Sequence, residues 1–280
     1  MFETVLVADR GLLAVRVIRC CQRLGIKAVT CVADGDDNAL HARLADEVIQ
    51  LGTTAAPHLT EALLEAARVS GSEAIHPGGG GWTDPDVAQA AAASGVTWVG
   101  AAPGAGREPR EALPGWRLTV HRGGRPVLIE SVAPPSYDDS GHALVAPDRL
   151  IEATTGVDLV ERQLRRAAGE WLADIPAASG HAIAATLYAG EQTLVPVAVS
   201  GSVAPDTDGV VIDSVLAEGT WLTRYDDEVL AVITAHGHNR AQALSRLTAA
   251  VDDMEVAEPP TELMGLRGLL RESAVITMVG

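Results

Sequence analysis

The residues best suited to chemistry in this chain lie in a glycine-rich stretch at 76–82, with the sequence HPGGGGW. Its four consecutive glycines, Gly78, Gly79, Gly80 and Gly81, could present backbone N–H groups to an anion such as a phosphate. No Gly-Lys-Ser/Thr follows them, so the stretch is not a P-loop. Two interpretations stay open: a ligand-binding loop that includes Trp82, and a flexible loop without a ligand.

Four titratable residues are candidates for catalysis. His76 stands at the end of a predicted strand, where α/β proteins bind their ligands, although histidines there are also structural hydrogen-bonding groups. Tyr137, Asp138 and His142 lie in a loop-rich stretch over 133–148, and titratable side chains on loops are typical of functional sites. We therefore treat these four as catalytic candidates of unknown role.

No metal site and no cofactor are predicted. The paired carboxylates Asp138-Asp139 and Asp226-Asp227 have no Cys or His at ligand spacing. The two histidines around Gly237 favour a loop role over zinc binding. The three cysteines, Cys20, Cys21 and Cys31, are predicted to be buried, reduced thiols.

Composition limits the classes of partner. The 280 residues carry 21 basic and 37 acidic side chains, a formal net charge of −16. Binding to nucleic acid or to an anionic membrane needs clustered Lys and Arg, so neither is expected. No apolar run approaches the roughly 18 residues of a membrane helix, and the N-terminus has no basic region of a signal peptide. We therefore expect a cytoplasmic protein.

Strand and helix alternate through the first hundred residues. This alternation predicts βαβ units and hence a doubly wound, mostly parallel sheet. The predicted strands are at 5–8, 27–33, 48–51, 73–77 and 96–100, and the longer helices at 12–24 and 58–71. Gly25 is expected to end the first helix.

The remainder of the chain predicts a different organisation. Residues 101–115 are rich in Pro and Gly and indicate a linker. A β-hairpin is predicted over 116–132, turning at Gly123-Gly124, and a helix over 154–169. The last third is predicted as α+β with antiparallel strands, at 181–188, 193–199, 209–216 and 228–236, and helices at 239–253 and 263–271.

Six long segments together resemble the biotin carboxylase family, the ATP-grasp component of biotin-dependent carboxylases. They are ADRGLLAVRVIRCCQRLGIKAV, DDNALHARLADEVIQLG, SEAIHPGGGG, TTGVDLVERQLRRAAGEWL, HAIAATLYAG and YDDEVLAVITAHGHNRAQALSRL, in the order the family has them. The resemblance implies an N-terminal biotin carboxylase-like domain at 1–100, a shortened remnant of the ATP-grasp region at 101–153, and a C-terminal biotin carboxylase-like domain at 154–280. The central ATP-grasp lid is expected to be missing.

The resemblance also implies that catalytic positions have changed. Ala143 and Pro147 stand where the family has a catalytic arginine and a bicarbonate-activating glutamate. Val211 stands in place of an arginine that stabilises the biotin enolate. Ala184 and Thr186 replace a Glu and an Arg, and Gly79 replaces a Tyr.

Two functions are expected from this pattern. The first is a biotin carboxylase-like protein that has lost ATP-dependent biotin carboxylation and serves as a non-catalytic scaffold or carboxylase partner. The alternative is a repurposed cofactor-independent enzyme, such as a cyclase, lyase or isomerase of specialised metabolism, with a small hydrophobic substrate in the emptied cleft between the two domains. By the same resemblance, Arg16, Arg19 and Arg23 are expected at a homodimer interface, with a solvated helix face as the simpler reading.

Overall fold

The computed structural model describes residues 1–52, 59–79, 86–100, 116–122, 125–131, 145–190, 193–202, 204–223 and 228–272. These residues form two compact units. The first contains 1–100 and 158–174, and the second contains the described parts of 116–131, 145–157 and 175–272. Each unit has its own five-stranded sheet.

The elements of the first unit alternate strand and helix. They are β1 (Thr4–Val7), α1 (Gly11–Arg23), β2 (Lys27–Val32), α2 (Leu40–Leu44), β3 (Glu47–Gln50), α3 (Leu59–Ser70), β4 (Ala74–His76), α4 (Val87–Ala93), β5 (Thr97–Trp98) and, later in the chain, α6 (Leu159–Ala167).

The second unit is built mainly from antiparallel strands. Its elements are β6 (Trp116–Arg122), β7 (Arg125–Ser131), α5 (Val145–Thr155), β8 (His181–Tyr188), β9 (Val197–Ala198), β10 (Val210–Ser214), β11 (Trp221–Leu222), β12 (Val229–Gly237), α7 (Arg240–Asp253) and α8 (Leu263–Leu270).

The sheet of the first unit is parallel throughout and has the order β3-β2-β1-β4-β5. This confirms the predicted doubly wound sheet. Val5, Leu6 and Val7 of β1 and Ala74 and Ile75 of β4 are buried apolar residues, as expected for parallel strands covered by helices on both sides. The order of the strands reverses between β1 and β4, which makes the gap between their carboxyl ends the topological switch point.

The sequence of helix α1 determines which face of the helix is buried and where the helix ends. Its residues Ala14, Val17, Ile18 and Cys21 recur at helical spacing and pack into one core cluster beneath the sheet. The helix ends at Arg23, and Gly25 follows at φ +73°, the left-handed conformation expected after a helix C-cap. The predicted end of this helix is therefore confirmed.

The prediction of one continuous helix over 154–169 is wrong. Helix α5 already covers Val145–Thr155, and α6 begins at Leu159. Gly156 interrupts them at φ +74°, and the Asp158 carboxylate caps α6 by accepting a hydrogen bond from the Glu161 N–H. The apolar periodicity of the two helices is nearly in phase, so periodicity alone did not reveal the break.

The sheet of the second unit has the order β10-β12-β8-β7-β6, with every described pairing antiparallel. The predicted hairpin is confirmed as β6–β7. Helices α5 and α7 both pack on β8 and β12. Arg149 of α5 binds Asp213 on one face of the sheet, and Arg240 of α7 binds Glu130 on the other.

A separate two-stranded sheet joins β9 to β11, with Trp221 opposite Ala198. The sequence predicted a longer strand at 193–199 and none at 221–222, because β11 is too short to show an alternating pattern. In the described parts of the chain, no helix is both long enough and apolar enough to cross a bilayer.

Candidate functional site

Polar residues that follow strands β1 and β4 lie together at the switch point of the parallel sheet. Strand β1 runs into Ala8 and Asp9, and β4 ends at His76 and continues into Gly78 and Gly79. Because β1 and β4 are parallel neighbours, the residues that follow them meet at one edge. In open α/β sheets this edge is where ligands bind.

The carboxylate of Asp9 joins the two strand ends. Its Oδ1 accepts a hydrogen bond from the Arg10 N–H at 2.9 Å, and its Oδ2 accepts one from the Gly79 N–H at 2.8 Å. Asp9 is buried, so these bonds are made largely out of water and hold the start of the glycine-rich loop against β1. The Gly79 amide, which a phosphate would use, already serves this carboxylate.

Gly78 is required by its surroundings. Its φ is +55°, and a Cβ added at this position would lie 1.8 Å from Asp9 Oδ2. No L side chain fits there unless Asp9 moves. The first glycine of the predicted loop therefore has a packing reason that is independent of any ligand.

His76 is buried and bonded through both ring nitrogens. Its Nδ1 lies 3.0 Å from the Gly78 N–H, which can only donate, so Nδ1 is the acceptor. The proton of the neutral ring is then on Nε2, which lies 3.2 Å from Gln163 Oε1. Protonation of Nδ1 would break the bond to Gly78. This catalytic candidate thus has a defined tautomer and a structural hydrogen-bonding role; its catalytic role stays a prediction.

Asp36 and His41 form a second buried polar pair near the same edge. His41 Nε2 lies 3.5 Å from Asp36 Oδ2, and both side chains are almost fully buried. Among the described residues, neither ring nitrogen of His41 has a hydrogen-bond partner. Burial, and then the positive charge of Arg10, lower the pKa of His41 to about 4. The imidazole is therefore neutral at pH 7.

The remaining predicted site residues are divided between described and undescribed parts of the chain. Gly78, Gly79 and His76 come together at the sheet edge, as stated above. The other candidates of the glycine-rich loop and the titratable set lie outside the described residues: Gly80, Gly81, Trp82, Tyr137, Asp138 and His142. Their roles in ligand binding or catalysis stay predictions.

The three arginines of α1 are not equivalent. Arg16 is buried, which argues against a uniformly solvated helix face, whereas Arg19 is exposed. The Arg23 guanidinium lies 2.8 Å from Asp158 and 3.4 Å from Glu161 at the start of α6. Arg23 therefore joins α1 to α6 within the first unit. The dimer interface at these residues stays a prediction.

The second unit contains a buried cluster around Arg149. Its Nε and Nη2 donate to the two carboxylate oxygens of Asp213 at 2.6 and 2.7 Å, and its Nη1 donates to Glu152 at 2.7 Å. Burial alone would lower the pKa of Arg149, but the bonds and charges of Asp213 and Glu152 raise it. With two carboxylates around one guanidinium, the cluster has no positive charge left for an anionic ligand.

Asp213 shares a face of the sheet with three of the positions that the family resemblance marks as altered, Val211, Ala184 and Thr186. Val211 and Ala184 both stand opposite Thr234, so the three side chains form one row across β10, β12 and β8. Thr186 lies two residues along β8 on the same face. This row carries no charged side chain, and Val211 is 45% exposed.

Glu130 forms a third polar cluster, on the other face of the same sheet. Its Oε2 accepts from Arg240 Nε at 2.8 Å and lies 3.2 Å from His181 Nε2. Burial by itself raises the pKa of Glu130, but the hydrogen bond from His181 and the charge of Arg240 outweigh it, and the pKa is lowered. The cluster holds α7 against β7 and β8.

The sequence did not identify the polar residues that organise the switch point: Asp9, Asp36, His41 and Gln163. Asp9 was visible only as part of a strand–turn–helix opening, and Gln163 lies on α6, 87 residues from its partner His76. The one signal for Asp9 and Asp36 was a short polar residue in the turn that follows a buried strand, two residues after β1 and four residues after β2. Within the described residues, no group of three or more His, Cys, Asp or Glu side chains is placed to hold a metal ion.

Comparison with known proteins shows similarity to biotin-dependent carboxylases in the first part of the chain. Residues 1–105 match the family model for the biotin carboxylase N-terminal domain. Methylcrotonoyl-CoA carboxylase subunit alpha of Oryza sativa is 44% identical over 110 residues, 38% of this chain and 15% of that protein. The biotin carboxylase of Halalkalibacterium halodurans is 38% identical over 107 residues, 37% of this chain and 24% of that enzyme. The matched region thus spans a small part of these relatives.

The fold likeness extends along nearly the whole chain. The biotin carboxylase domain dimer of Hydrogenobacter thermophilus 2-oxoglutarate carboxylase, solved with MgADP, ADP and bicarbonate, superposes with a TM-score of 0.80. The superposition covers 98% of this chain and 94% of that one, at 17% sequence identity. The TM-score establishes a shared fold, and an identity this low shows nothing beyond the fold. The fold class predicted from the sequence is confirmed.

Proposed function

We propose that this chain, whose residues 1–105 match the biotin carboxylase N-terminal domain model, does not itself carboxylate biotin and acts as a non-catalytic partner or scaffold of a carboxylase. The fold is kept in both units, whereas the positions that the resemblance marks for catalysis hold uncharged side chains. The supporting observation is the row formed by Val211, Thr234 and Ala184, with Thr186 beside it.

The chemistry explains why this row matters. Transfer of a phosphoryl group and stabilisation of an enolate both depend on cations placed where negative charge develops. The resemblance expects two arginines and a glutamate among these positions, and Val, Thr and Ala supply no such charge. Arg149, a described cation on the same face, is bonded to Asp213 and Glu152, so its charge is already engaged.

The described residues also do not fit a nucleoside triphosphate with its metal ion. A metal-bound triphosphate needs carboxylate ligands grouped around the metal and cations along the phosphates. The described parts of the chain offer no such carboxylate group, and the chain's single lysine, Lys27, is paired with Glu47 at 2.6 Å. We therefore propose no ATP-dependent step for this chain.

The test is a carboxylation assay on the purified full chain. ADP formation is measured with ATP, magnesium, bicarbonate and free biotin, beside an active biotin carboxylase as the positive control. We expect no ADP formation that depends on both biotin and bicarbonate. In parallel, the tagged chain is mixed with the purified biotin carboxylase and biotinylated carrier subunit of its source organism, and complex formation is measured by light scattering.

Two results would contradict the proposal. One is ADP formation that requires both biotin and bicarbonate. The other is the failure of both carboxylase components to form a complex with the chain at micromolar concentrations.

A second candidate function, a cofactor-independent cyclase, lyase or isomerase, is favoured by the Asp36–His41 pair. His41 Nε2 lies 3.5 Å from Asp36 Oδ2 without a hydrogen bond, and the two would act as a general base and its orienting group if they closed to hydrogen-bond distance. We rank this candidate second because His41 is 1% exposed, so a substrate would need the surrounding loops to move. Metabolite consumption from a cell extract that is lost in His41→Gln and kept in His238→Gln, an exposed control, would reverse the ranking.

A further inference from the structure

Exposed apolar side chains lie on the two-stranded sheet β9–β11 and on the three residues that precede β9. Leu194 is 85% exposed, Val195 44% and Trp221 41%, and Pro196 and Ala198 are also exposed. Trp221 and Ala198 stand opposite each other in the pairing of the two strands. We call these five residues the β9–β11 surface. Grouped exposed apolar side chains are typical of interaction sites, and tryptophan is the residue most enriched in binding hot spots.

The backbone beneath this surface is fixed on several sides. Thr193 Oγ1 donates to the Pro260 carbonyl at 2.9 Å, and Ser200 and Glu258 exchange two backbone hydrogen bonds of 3.1 Å. Leu222, beside Trp221, is buried and anchors β11 from below. The exposed side chains therefore lie on a backbone that is fixed by hydrogen bonds, so less conformational entropy is lost when a partner binds.

The chain around this surface is acidic. Residues 189–223 and 247–266 contain ten Asp and Glu, and Arg224, Arg246 and Arg267 flank these ranges. Three of the ten acids, Asp208, Asp213 and Asp252, are paired with arginines. Two of these acids are exposed at the sheet itself: Glu218 accepts a hydrogen bond from the Gly201 N–H, and Glu258 forms the bridge to Ser200. An apolar centre with an anionic rim is complementary to an apolar side chain flanked by cations.

From these observations we propose that the β9–β11 surface is a docking site for a segment of a partner protein in which a large apolar side chain is flanked by Arg or Lys. A second copy of this chain is a poor occupant, because the same acidic rim would face itself across a symmetric interface. The biological meaning of the site rests on the partner role proposed above. The site itself is tested by binding alone.

The test uses the full chain and two labelled synthetic peptides. One repeats Arg-Leu four times and the other repeats Glu-Leu four times; binding is measured by fluorescence anisotropy at near-physiological salt. We expect the Arg-Leu peptide to bind at least about ten-fold more tightly than the Glu-Leu peptide, and to weaken as salt is raised.

Variants locate the binding on the molecule. Trp221→Ala and Leu194→Ser should each weaken binding of the Arg-Leu peptide by about five-fold or more, whereas Trp171→Ala should not change it, since Trp171 is 87% exposed but lies in the other unit. Circular dichroism and thermal unfolding check that each variant is folded. If Trp221→Ala fails to fold, Leu194→Ser carries the test, because its side chain is almost fully solvated.

Three outcomes would overturn the proposal: equal affinity for the two peptides, unchanged affinity in both surface variants, or a dimer of the parent chain that Leu194→Ser converts to monomer. The last would identify a second copy as the occupant. None of them bears on the carboxylation assay, so failure here is distinct from failure of the proposed lack of catalysis.

Discussion

The Asp9 carboxylate accepts a hydrogen bond from the Gly79 N–H at 2.8 Å and so joins the carboxyl ends of two parallel strands at the switch point of the sheet. In a ligand-binding α/β protein this gap is where backbone N–H groups face a ligand. Here the described amides of the glycine-rich loop face Asp9 and His76 instead. In the described part of the loop, these two amides therefore make contacts within the protein.

The first prediction concerns Gly78→Ala. The added Cβ would lie 1.8 Å from Asp9 Oδ2 at a φ of +55°, so both a clash and backbone strain oppose it. We expect a loss of about 2–4 kcal/mol in the free energy of unfolding, measured by urea denaturation. Gly95→Ala is the matched control, since it has a positive φ of +78° and open space around the new Cβ. Equal losses in the two variants would mean that the contact with Asp9 has no energetic weight.

The second prediction concerns the Arg149 cluster. Arg149→Met leaves Asp213 and Glu152 buried without their cation, and we expect it to cost about 3–5 kcal/mol of unfolding free energy. The double variant Arg149→Met with Asp213→Asn should lose less than the sum of the two single losses, because one of the unpaired charges is then gone. Arg68→Met, which breaks a fully exposed pair with Glu65, should have no measurable effect. Strict additivity would contradict the pairing.

The third prediction concerns stability in acid. The pKa of His41 is about 4 in the folded chain, below the 6.5 that is ordinary for histidine, so the unfolded chain binds more protons between these values. The contribution of neutral His41 to the free energy of unfolding is complete above pH 6.5 and is lost as the pH falls toward 4. The loss amounts to about 3 kcal/mol.

The measurement for His41 is the difference in unfolding free energy between pH 7 and pH 4. We expect this difference to be smaller in His41→Asn than in the parent chain, and unchanged in His238→Asn, whose side chain is exposed. Carboxylates contribute equally to the pH dependence of the parent chain and of each variant, so their contribution cancels in the comparison. An identical pH dependence in His41→Asn and the parent would show that His41 does not titrate as its burial requires.

The fourth prediction concerns the cysteines. Burial raises the pKa of Cys21 and Cys31 to about 12, and burial followed by the charge of Asp158 raises that of Cys20. Native protein at pH 8 should therefore resist a thiol reagent over minutes, whereas three thiols should react in guanidinium. Ser94→Cys, at an exposed position, should add one fast thiol and serves as the positive control. Rapid labelling of the parent chain would contradict the burial of all three.

Most of the secondary structure followed from local patterns. The parallel strands appeared as short apolar runs, Gly25 marked the end of α1, and the antiparallel pair β6–β7 was predicted on either side of Gly123-Gly124, which lie outside the described residues. These features depend on neighbours within a few residues, so the sequence contains them directly. The break at Gly156 was missed, because the apolar periodicity continues through it.

The candidate site was predictable only in part. His76, Gly78 and Gly79 stood out as residue types, but their partners Asp9 and Gln163 lie 70 and 87 residues away in the chain. Nothing in the local pattern around Asp9 or Gln163 indicates these contacts. The same holds for Arg149 and Asp213, which lie on a helix and an edge strand separated by 64 residues.

By itself, the sequence determined the parallel sheet of the first unit, the antiparallel sheet of the second, and the likeness to biotin carboxylases, because hydrophobic period and glycine position act over short range. Only the tertiary structure decided which polar groups are engaged. The Gly79 amide is bonded to Asp9, the Arg149 charge is matched by two carboxylates, and Trp221 remains at the surface. Each of these depends on which strands become neighbours, and that is fixed by packing across the whole unit.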